Sequence, residues 1–481
     1  MEKQQIKSKV MFSLFWKLME RGGTQGIQFI VQIVLARLLL PEEYGIIALL
    51  SIFISFANLF VQSGFNTALI QKKDADKVDF SSVFYLSLFI AGLLYVILFI
   101  TAQFIADFFR EPQLVLLLRI LSCTLFFGAL NSIQNAYLAK NMMFKKLFFS
   151  SLGAIVVSGA IGVITAYSGW GVWALVAQQL VNQFVITIIL WFTIKWRPSF
   201  LFSFKRVRVL FSFGWKLLVS AVLCTLDRNI RTLIIGKNYS SDILGFYNRG
   251  QQFPEIIGAN IDGSIQSVLF PAFASHQDNL KKVKNMMRRA IMTSSFIMFP
   301  MMVGLAVVAE PLVKLLLTDK WIPAVPFFQI SCAAEALIPI QTTNLQAINA
   351  LGRSDIFLKL EIVKTIIGLI ILGISIPFGI YAMAWGVFLS CVISTFINAY
   401  PNFKLLNYSY IEQWKDIMPT LVIALVMGAV IYPLSFLTIA VWQILLIQIV
   451  VGAIVYFSLA MIFKIESFSY LIATIKEIIS G

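Results

Sequence analysis

The sequence predicts an all-α polytopic membrane protein, with about fourteen transmembrane helices in two parallel six-helix lobes around a central cavity, plus two C-terminal helices. Three observations predict it. Of 481 residues, 59% are hydrophobic and 13% charged, whereas a soluble domain carries about a quarter charged residues; such a chain cannot cover a water-facing surface. Apolar segments able to cross roughly 30 Å of hydrocarbon recur from end to end. The basic residues, finally, gather in short clusters on one side of those segments.

The predicted spans are 11–40, 46–70, 81–104, 114–138, 147–168, 171–194, 209–235, 243–272, 290–312, 325–350, 356–377, 380–402, 417–436 and 439–463. Tight turns separate neighbours at Ser168-Gly169-Trp170-Gly171 and Pro377-Phe378-Gly379. The first segment follows Lys3, Lys7 and Lys9 but contains Lys17, Glu20 and Arg21, which makes it too long and too polar for a cleavable signal. Beyond Lys464, Ile465, Phe468, Ile472, Ile475 and Ile479 recur at helical spacing opposite Glu466, Ser469, Lys476 and Glu477. That pattern predicts an amphipathic helix on the cytoplasmic membrane surface.

Orientation follows from the cations. An inside N-terminus puts Lys3, Lys7 and Lys9, Lys72, Lys73 and Lys77, Lys140, Lys145 and Lys146, the 195–208 cluster, Lys281 to Arg289, Arg353 and Lys359, Lys404 and Lys415, and Lys464 and Lys476 in the cytoplasm. The other side receives only Arg110, Lys237, Arg249, Lys314 and Lys320. Both termini are therefore expected in the cytoplasm, and the formal charge of +15 reflects topology rather than nucleic-acid binding.

The chain also resembles itself. Leu121-Ser122-Cys123 recurs as Ile330-Ser331-Cys332, Gly169 as Gly379, and Gln134 as Gln346, at a nearly constant offset of about 210 residues. Pro41-Glu42-Glu43-Tyr44-Gly45 is answered by Ser241-Asp242-Ile243-Leu244-Gly245. A duplicated unit with an even number of spans gives parallel repeats. The expected domains are an N-terminal lobe (1–194), a basic linker (195–208), a C-terminal lobe (209–402), additional helices (403–463) and the amphipathic tail (464–481).

Composition excludes several chemistries. Cys123, Cys224, Cys332 and Cys391 lie inside apolar runs without metal-like spacing. The single histidine, His276, is expected to be a solvated loop residue. Catalysis through a histidine base or a histidine-ligated metal is a poor fit, and the expectation is a protein that is not an enzyme and holds no metal.

Polar groups inside spans mark helices that face protein or water, because an intramembrane charge costs roughly 2.5–3.5 kcal/mol at a helix centre. In the first span Lys17, Arg21, Thr24, Gln28 and Gln32 share one face, with Glu20 and Gln25 flanking; in the second, Ser51, Ser55, Asn58, Gln62 and Asn66 do. The fourth carries Thr124, Asn131 and Asn135. The seventh aligns Lys216, Ser220, Cys224, Asp227 and Arg231, with Arg228 adjacent; the eighth carries Asn248, Arg249, Gln252, Glu255, Asp262 and Gln266; the tenth carries Glu335, Thr342, Gln346 and Asn349. Amide stripes also join helices by hydrogen bonds worth about 0.6 kcal/mol per contact. Asp227 could pair with Arg231 and Glu361 with Lys364, and Arg37 and Arg119 could snorkel. The cations Lys17, Arg21, Lys216, Arg228 and Arg231 nevertheless exceed what Glu20 and Asp227 can neutralise. Guanidinium and ammonium groups bind phosphate, and amides suit sugar hydroxyls. A cargo with a phosphate head, a sugar chain and a lipid tail fits these environments.

Leu35-Ala36-Arg37-Leu38-Leu39-Leu40-Pro41-Glu42-Glu43-Tyr44-Gly45, followed by Ser63-Gly64-Phe65 and Ala68-Leu69-Ile70-Gln71-Lys72, resembles the opening of bacterial Wzx-type polysaccharide flippases. These belong to the multidrug/oligosaccharidyl-lipid/polysaccharide exporter superfamily and serve O-antigen, colanic acid and other exopolysaccharides. Leu244-Gly245-Phe246-Tyr247-Asn248-Arg249 and Val268-Leu269-Phe270-Pro271 are similar to the family's region between the seventh and eighth helices. The resemblance implies that an undecaprenyl-diphosphate-linked repeat unit moves from the cytoplasmic to the outer leaflet of the bacterial inner membrane by alternating access. It implies no bound cofactor but a proton or sodium gradient, with Asp227, Glu255 and Asp262 as candidate coupling residues. Expected partners are the lipid-linked oligosaccharide, membrane lipids and the polysaccharide polymerase and export machinery. The alternatives are a lipid II flippase, a drug/cation antiporter, which should have an acidic cavity, and a membrane glycan polymerase, which should need a long external loop with catalytic residues.

Overall fold

The computed structural model describes residues 2–62, 69, 76–141 and 143–480. The side chains of 2–15, 17, 18, 20, 21, 212–214, 216, 217, 474, 475 and 478–480 fall outside that description. Every regular element among the described residues is a helix, as the composition predicts. The first half contains α1 (Glu2–Leu38), α2 (Pro41–Gln62), α3 (Lys77–Phe109), α4 (Leu114–Leu121), α5 (Thr124–Lys140), α6 (Phe144–Tyr167), α7 (Val172–Thr193) and α8 (Phe204–Asn238). It is followed by α9 (Ser241–Ala274), α10 (Leu280–Val307), α11 (Ala309–Leu317), α12 (Val325–Glu335), α13 (Ile338–Ala350) and α14 (Ser354–Ser375). The chain closes with α15 (Ile380–Leu406), α16 (Tyr410–Ile431), α17 (Val441–Ile462) and α18 (Glu466–Ser480).

Ten helical stretches among the described residues are long and apolar enough to cross a membrane, and the chain is a multi-pass membrane protein. The other four predicted spans, α1, α8, α9 and α14, have 37, 35, 34 and 22 residues. Their length suffices, since 20 residues span about 30 Å, but charges interrupt them. Three of these, α1, α8 and α9, carry candidate site residues. Two predicted spans are broken: 114–138 into α4 and α5 at Ser122–Cys123, and 325–350 into α12 and α13 at Ala336–Leu337. Hydropathy alone predicts both as continuous. Pro339 in the first turn of α13 lacks the N–H an unbroken helix would use.

The chain divides into two compact units, Met1–Gly245 and Phe246–Gly481. In the first, a buried cluster of Phe80, Val83, Phe84, Ile133, Leu138, Leu190 and Trp196 joins α3, α5 and α7. The 195–208 stretch, expected to be a linker, packs into this unit. Trp196 is buried in the cluster, Ser199 and Ser203 donate backbone N–H bonds of 3.0 Å to Ser81 and Ser82, and Arg206 pairs with Asp76 at 2.5 Å. Asp76 also caps α3 by accepting from the Asp79 amide at 2.9 Å.

Two tight approaches hold the starts of α2 and α9 together within the first unit. A Cβ on Gly45 would lie 1.7 Å from the Ser241 carbonyl oxygen, and one on Gly245 would lie 2.0 Å from that of Pro41. Only glycine permits this approach. The two pentapeptides noted as repeats thus pack reciprocally.

The second unit is organised around Phe273, Met287, Phe296, Phe299, Ile417 and Tyr456. An amide knot crosses it: Asn344 donates to Gln413 at 2.8 Å, and Asn402 donates to Asn344 at 2.8 Å, all fully buried. These amides join helices, as intramembrane amides do. On α18, Phe468 lies 6.0 Å from the Phe296 ring and Ile465, just before the helix, is 7% exposed. The first turns of the tail thus cover the unit's own core, with Ile472 left exposed; Ile475 and Ile479 lie outside the described side chains.

Candidate functional site

In the first unit an amide seam runs where α2 faces α5. Gln62 donates to Asn58 at 3.3 Å. Gly128 on α5 makes room for both, since a Cβ there would stand 2.8 Å from Asn58 Oδ1 and 3.1 Å from Gln62 Nε2. One turn further, Asn131 donates to Gln183 of α7 at 3.3 Å. Gln134 is fully buried with neither amide atom partnered. On α1, Gln25 is exposed and Gln28 half-buried. The side chains of Lys17, Arg21 and Lys216 lie outside the described residues, as do residues 63–68 and 70–72 of the opening motif.

α8 packs on α2 and α3 through Thr232, Ile235 and Gly236. The stripe predicted to carry chemistry is less buried: Ser220, Cys224 and Arg228 are exposed, and Asp227 and Arg231 half-buried. Among the described residues the Asp227–Arg231 pair that the i, i+4 spacing allowed is not among the ion pairs formed. Neither Arg228 nor Arg231 has an ion pair or hydrogen bond among the described residues. Other predicted cations are engaged. Arg119 donates to the Phe99 carbonyl at 3.2 Å and stacks over that ring, and Lys364 pairs with Glu361 at 2.5 Å.

In the second unit the eighth predicted span faces the break in the tenth. Asp262 on α9 accepts from Thr342 of α13 and from Gln266 at 2.8 Å. One turn earlier, the carboxylate of Glu335, the last residue of α12, lies against Gly258; a Cβ there would be 1.8 Å from Glu335 Oε2. Glu255 stands a further turn back and is exposed. The helix break thus places Glu335 and Thr342 beside a stripe already bearing Glu255 and Asp262. Glu335 was visible as a polar residue of the tenth span, but nothing in the sequence paired it with Gly258. Arg249 lies near the start of the same helix, α9. It is 5% exposed and donates to Gln252, which is half-buried.

Each unit therefore sets a polar helix against a broken one, with a glycine at the closest approach: Gly128 beside Asn58 in the first, Gly258 beside Glu335 in the second. Interrupted helices in corresponding positions of two halves are where transporters expose backbone and polar groups to a ligand. His276 lies half-buried in the turn after α9, its Nδ1 3.1 Å from the Ala272 carbonyl. No cluster of metal-ligating side chains occurs among the described residues.

Comparison with known proteins agrees with this architecture. The chain is 25% identical over 386 residues to the teichuronic acid biosynthesis protein TuaB of Bacillus subtilis, covering 80% of each. It is 24% identical over 413 residues to the succinoglycan biosynthesis transport protein ExoT of Rhizobium meliloti, covering 84% of this chain and 80% of that one. To the lipopolysaccharide biosynthesis protein WzxC of Escherichia coli it is 24% identical over 438 residues, covering 89% of each. In fold it matches the lipid II flippase MurJ in an inward closed conformation, with a TM-score of 0.75 at 15% identity over 94% of this chain and 98% of that one. The family model described as "Polysaccharide biosynthesis protein" matches residues 34–326, more than half the chain, and the protein belongs to that family.

Proposed function

We propose that this protein is a flippase for an undecaprenyl-diphosphate-linked oligosaccharide, moving the repeat unit from the cytoplasmic to the outer leaflet of the bacterial inner membrane. The observation that carries the reading is the pair of guanidiniums, Arg228 and Arg231, which have no carboxylate partner among the described residues, on a long polar helix of a multi-pass membrane protein. Guanidinium binds phosphate oxygens bidentately, and a pyrophosphate head is the anion that such a carrier lipid presents. The amide seam of the first unit supplies donors and acceptors suited to sugar hydroxyls. Both termini lie in the cytoplasm, the side to which most cations fall. The protein acts as a transporter rather than an enzyme, and its partners are the lipid-linked substrate and the polymerase and export machinery downstream.

Coupling to a proton or sodium gradient runs through carboxylates. Asp262 and Glu255, with Glu335 beside them, form the acidic group of the second unit, and Asp227 lies next to the cations of the first. A two-state transporter needs only that cargo and ion prefer different states.

The experiment is reconstitution in proteoliposomes with a fluorescent undecaprenyl-diphosphate oligosaccharide, its leaflet followed by a membrane-impermeant quencher. Protein-dependent loss of quencher access, abolished in Arg231→Gln, is expected. Equal movement with and without protein rejects the reading. Movement of lipid II alone, with no exopolysaccharide precursor moved, replaces it by the peptidoglycan flippase that the MurJ-like fold also suits.

A further inference from the structure

The turn between α17 and α18 builds a polar cleft that the transport reading does not use. A cavity of about 410 Å³ is lined by Arg289 of α10, Lys464 of the turn, and Glu466, Ser467, Ser469 and Tyr470 of α18. Its charge is positive despite Glu466. Arg288 holds both Glu466 oxygens at 3.1 and 2.9 Å and the same guanidinium takes Asp416 at 3.0 Å, so Arg288, Arg289 and Lys464 together outnumber these two carboxylates by one positive charge. Arg289 and Lys464 have no carboxylate within ion-pair distance among the described residues, and the Arg289 guanidinium lies 5.4 Å from the Tyr470 ring centre.

Two further observations point to a ligand. Ser467 is 3% exposed, and its hydroxyl has no hydrogen-bond partner although it belongs to the cavity wall. A buried hydroxyl left unpaired is unfavourable unless something completes it. A second cavity of about 420 Å³ adjoins the first and shares Lys464 and Ser469 with it, and its other walls include Met461, Phe468 and Ile472. The cationic cleft thus opens beside an apolar slot.

Position selects among anions. The apolar span of α17 ends at Ile462, two residues before Lys464. The cleft therefore lies at the depth where hydrocarbon gives way to headgroups, and basic pockets between helices at that depth suit anionic lipid heads. A free phosphate would use the cleft but not the slot. A zwitterionic lipid would bring its ammonium toward Arg289 and Lys464.

We propose that this cleft binds an anionic phospholipid of the surrounding bilayer, with its phosphate among Arg289, Lys464 and Ser467 and one acyl chain along Phe468 and Ile472. The lipid fastens α18 to α10 alongside the Arg288 ion pairs. This assignment does not depend on the cargo, and it stands or falls independently of the flippase reading.

The test is native mass spectrometry of the full-length purified protein titrated with phosphatidylglycerol and, in parallel, phosphatidylcholine. The wild type is expected to retain phosphatidylglycerol about tenfold more tightly than phosphatidylcholine. Arg289→Gln/Lys464→Gln should lose that preference, and Ser467→Ala should weaken it. Lys464→Gln alone, at an exposed turn residue, carries the test should the double variant fold poorly; a monodisperse gel-filtration peak is the control. Undiminished phosphatidylglycerol binding by these variants, or equal retention of the two lipids by the wild type, overturns the proposal. So does inorganic phosphate at millimolar concentration displacing phosphatidylglycerol completely, since that describes an anion pocket indifferent to the chain.

Discussion

Gly258 and Glu335 occupy one another's space: a methyl group on the glycine would stand 1.8 Å from the carboxylate oxygen Oε2. The contact joins α9 to the end of α12 at the point where the tenth span breaks, and it sets Glu335 one turn from Asp262. Gly258→Ala must push the carboxylate away or separate the helices. Overpacking of this kind costs about 1–3 kcal/mol, and the variant should unfold at lower temperature and export less polysaccharide. Glu335→Ala in the same chain vacates the space and should restore the melting temperature without restoring export. A double variant as unstable as Gly258→Ala alone would show that the strain lies elsewhere.

The cations of α8 make a second prediction. Neither Arg228 nor Arg231 has an ion pair or hydrogen bond among the described residues, so neutralising them removes none of those bonds. Arg231→Gln, and equally Arg21→Gln on α1, should abolish repeat-unit export while expression and membrane insertion stay normal. Normal surface polysaccharide at equal protein level counts against the phosphate-binding role.

Gly45 and Gly245 should behave differently from Gly258, because each meets backbone. An added Cβ would lie 1.7 Å from the Ser241 carbonyl oxygen or 2.0 Å from that of Pro41, and a carbonyl cannot rotate aside as a side chain can. Gly45→Ala and Gly245→Ala should each destabilise by more than about 1–3 kcal/mol. The double variant should cost less than the sum, since one separation of α2 from α9 relieves both clashes. Thermal unfolding in detergent measures this; strict additivity would place the two glycines in independent contacts.

The stretch before α8 should respond to pH through Asp76. The Asp79 amide and then the Arg206 guanidinium hold its carboxyl below the ordinary value of 3.8. A lowered folded-state pKa stabilises above the ordinary value, and that contribution disappears as pH falls through the lower one. Attachment of 199–206 to α3 is therefore expected to be constant from neutral pH down to about 4 and to loosen below it. Arg206→Gln should raise amide exchange at Ser199 and Ser203 already at neutral pH. Exchange unchanged in that variant would mean that Ser81 and Ser82 suffice.

Arg288 is expected to hold the C-terminal helix. It bonds Asp416 and Glu466 together, and hydrogen bonds to charged groups contribute about 1.5–3 kcal/mol each. Arg288→Gln should expose α18 to protease at low enzyme concentration while the spans stay protected. Equal cleavage rates would assign the docking of α18 to Ile465 and Phe468.

The amino-acid sequence by itself determined which segments meet lipid. Hydropathy is a property of each segment alone, so the spans, their charged exceptions α1, α8, α9 and α14, and the amide positions on α2 and α5 were legible. So was the family, and periodicity places Asn58 with Gln62 and Glu255 with Asp262 without any partner. Tertiary structure decided everything that needs two distant segments. The breaks at Ser122–Cys123 and Ala336–Leu337 are silent in hydropathy, since a kinked apolar run is as apolar as a straight one. Gly258 against Glu335, Gly45 against Ser241, the absorption of 195–203 into the first unit and the burial of Arg249 against Gln252 all depend on packing. A side chain's charge is written in the chain, but whether a neighbour neutralises it is decided only when helices meet.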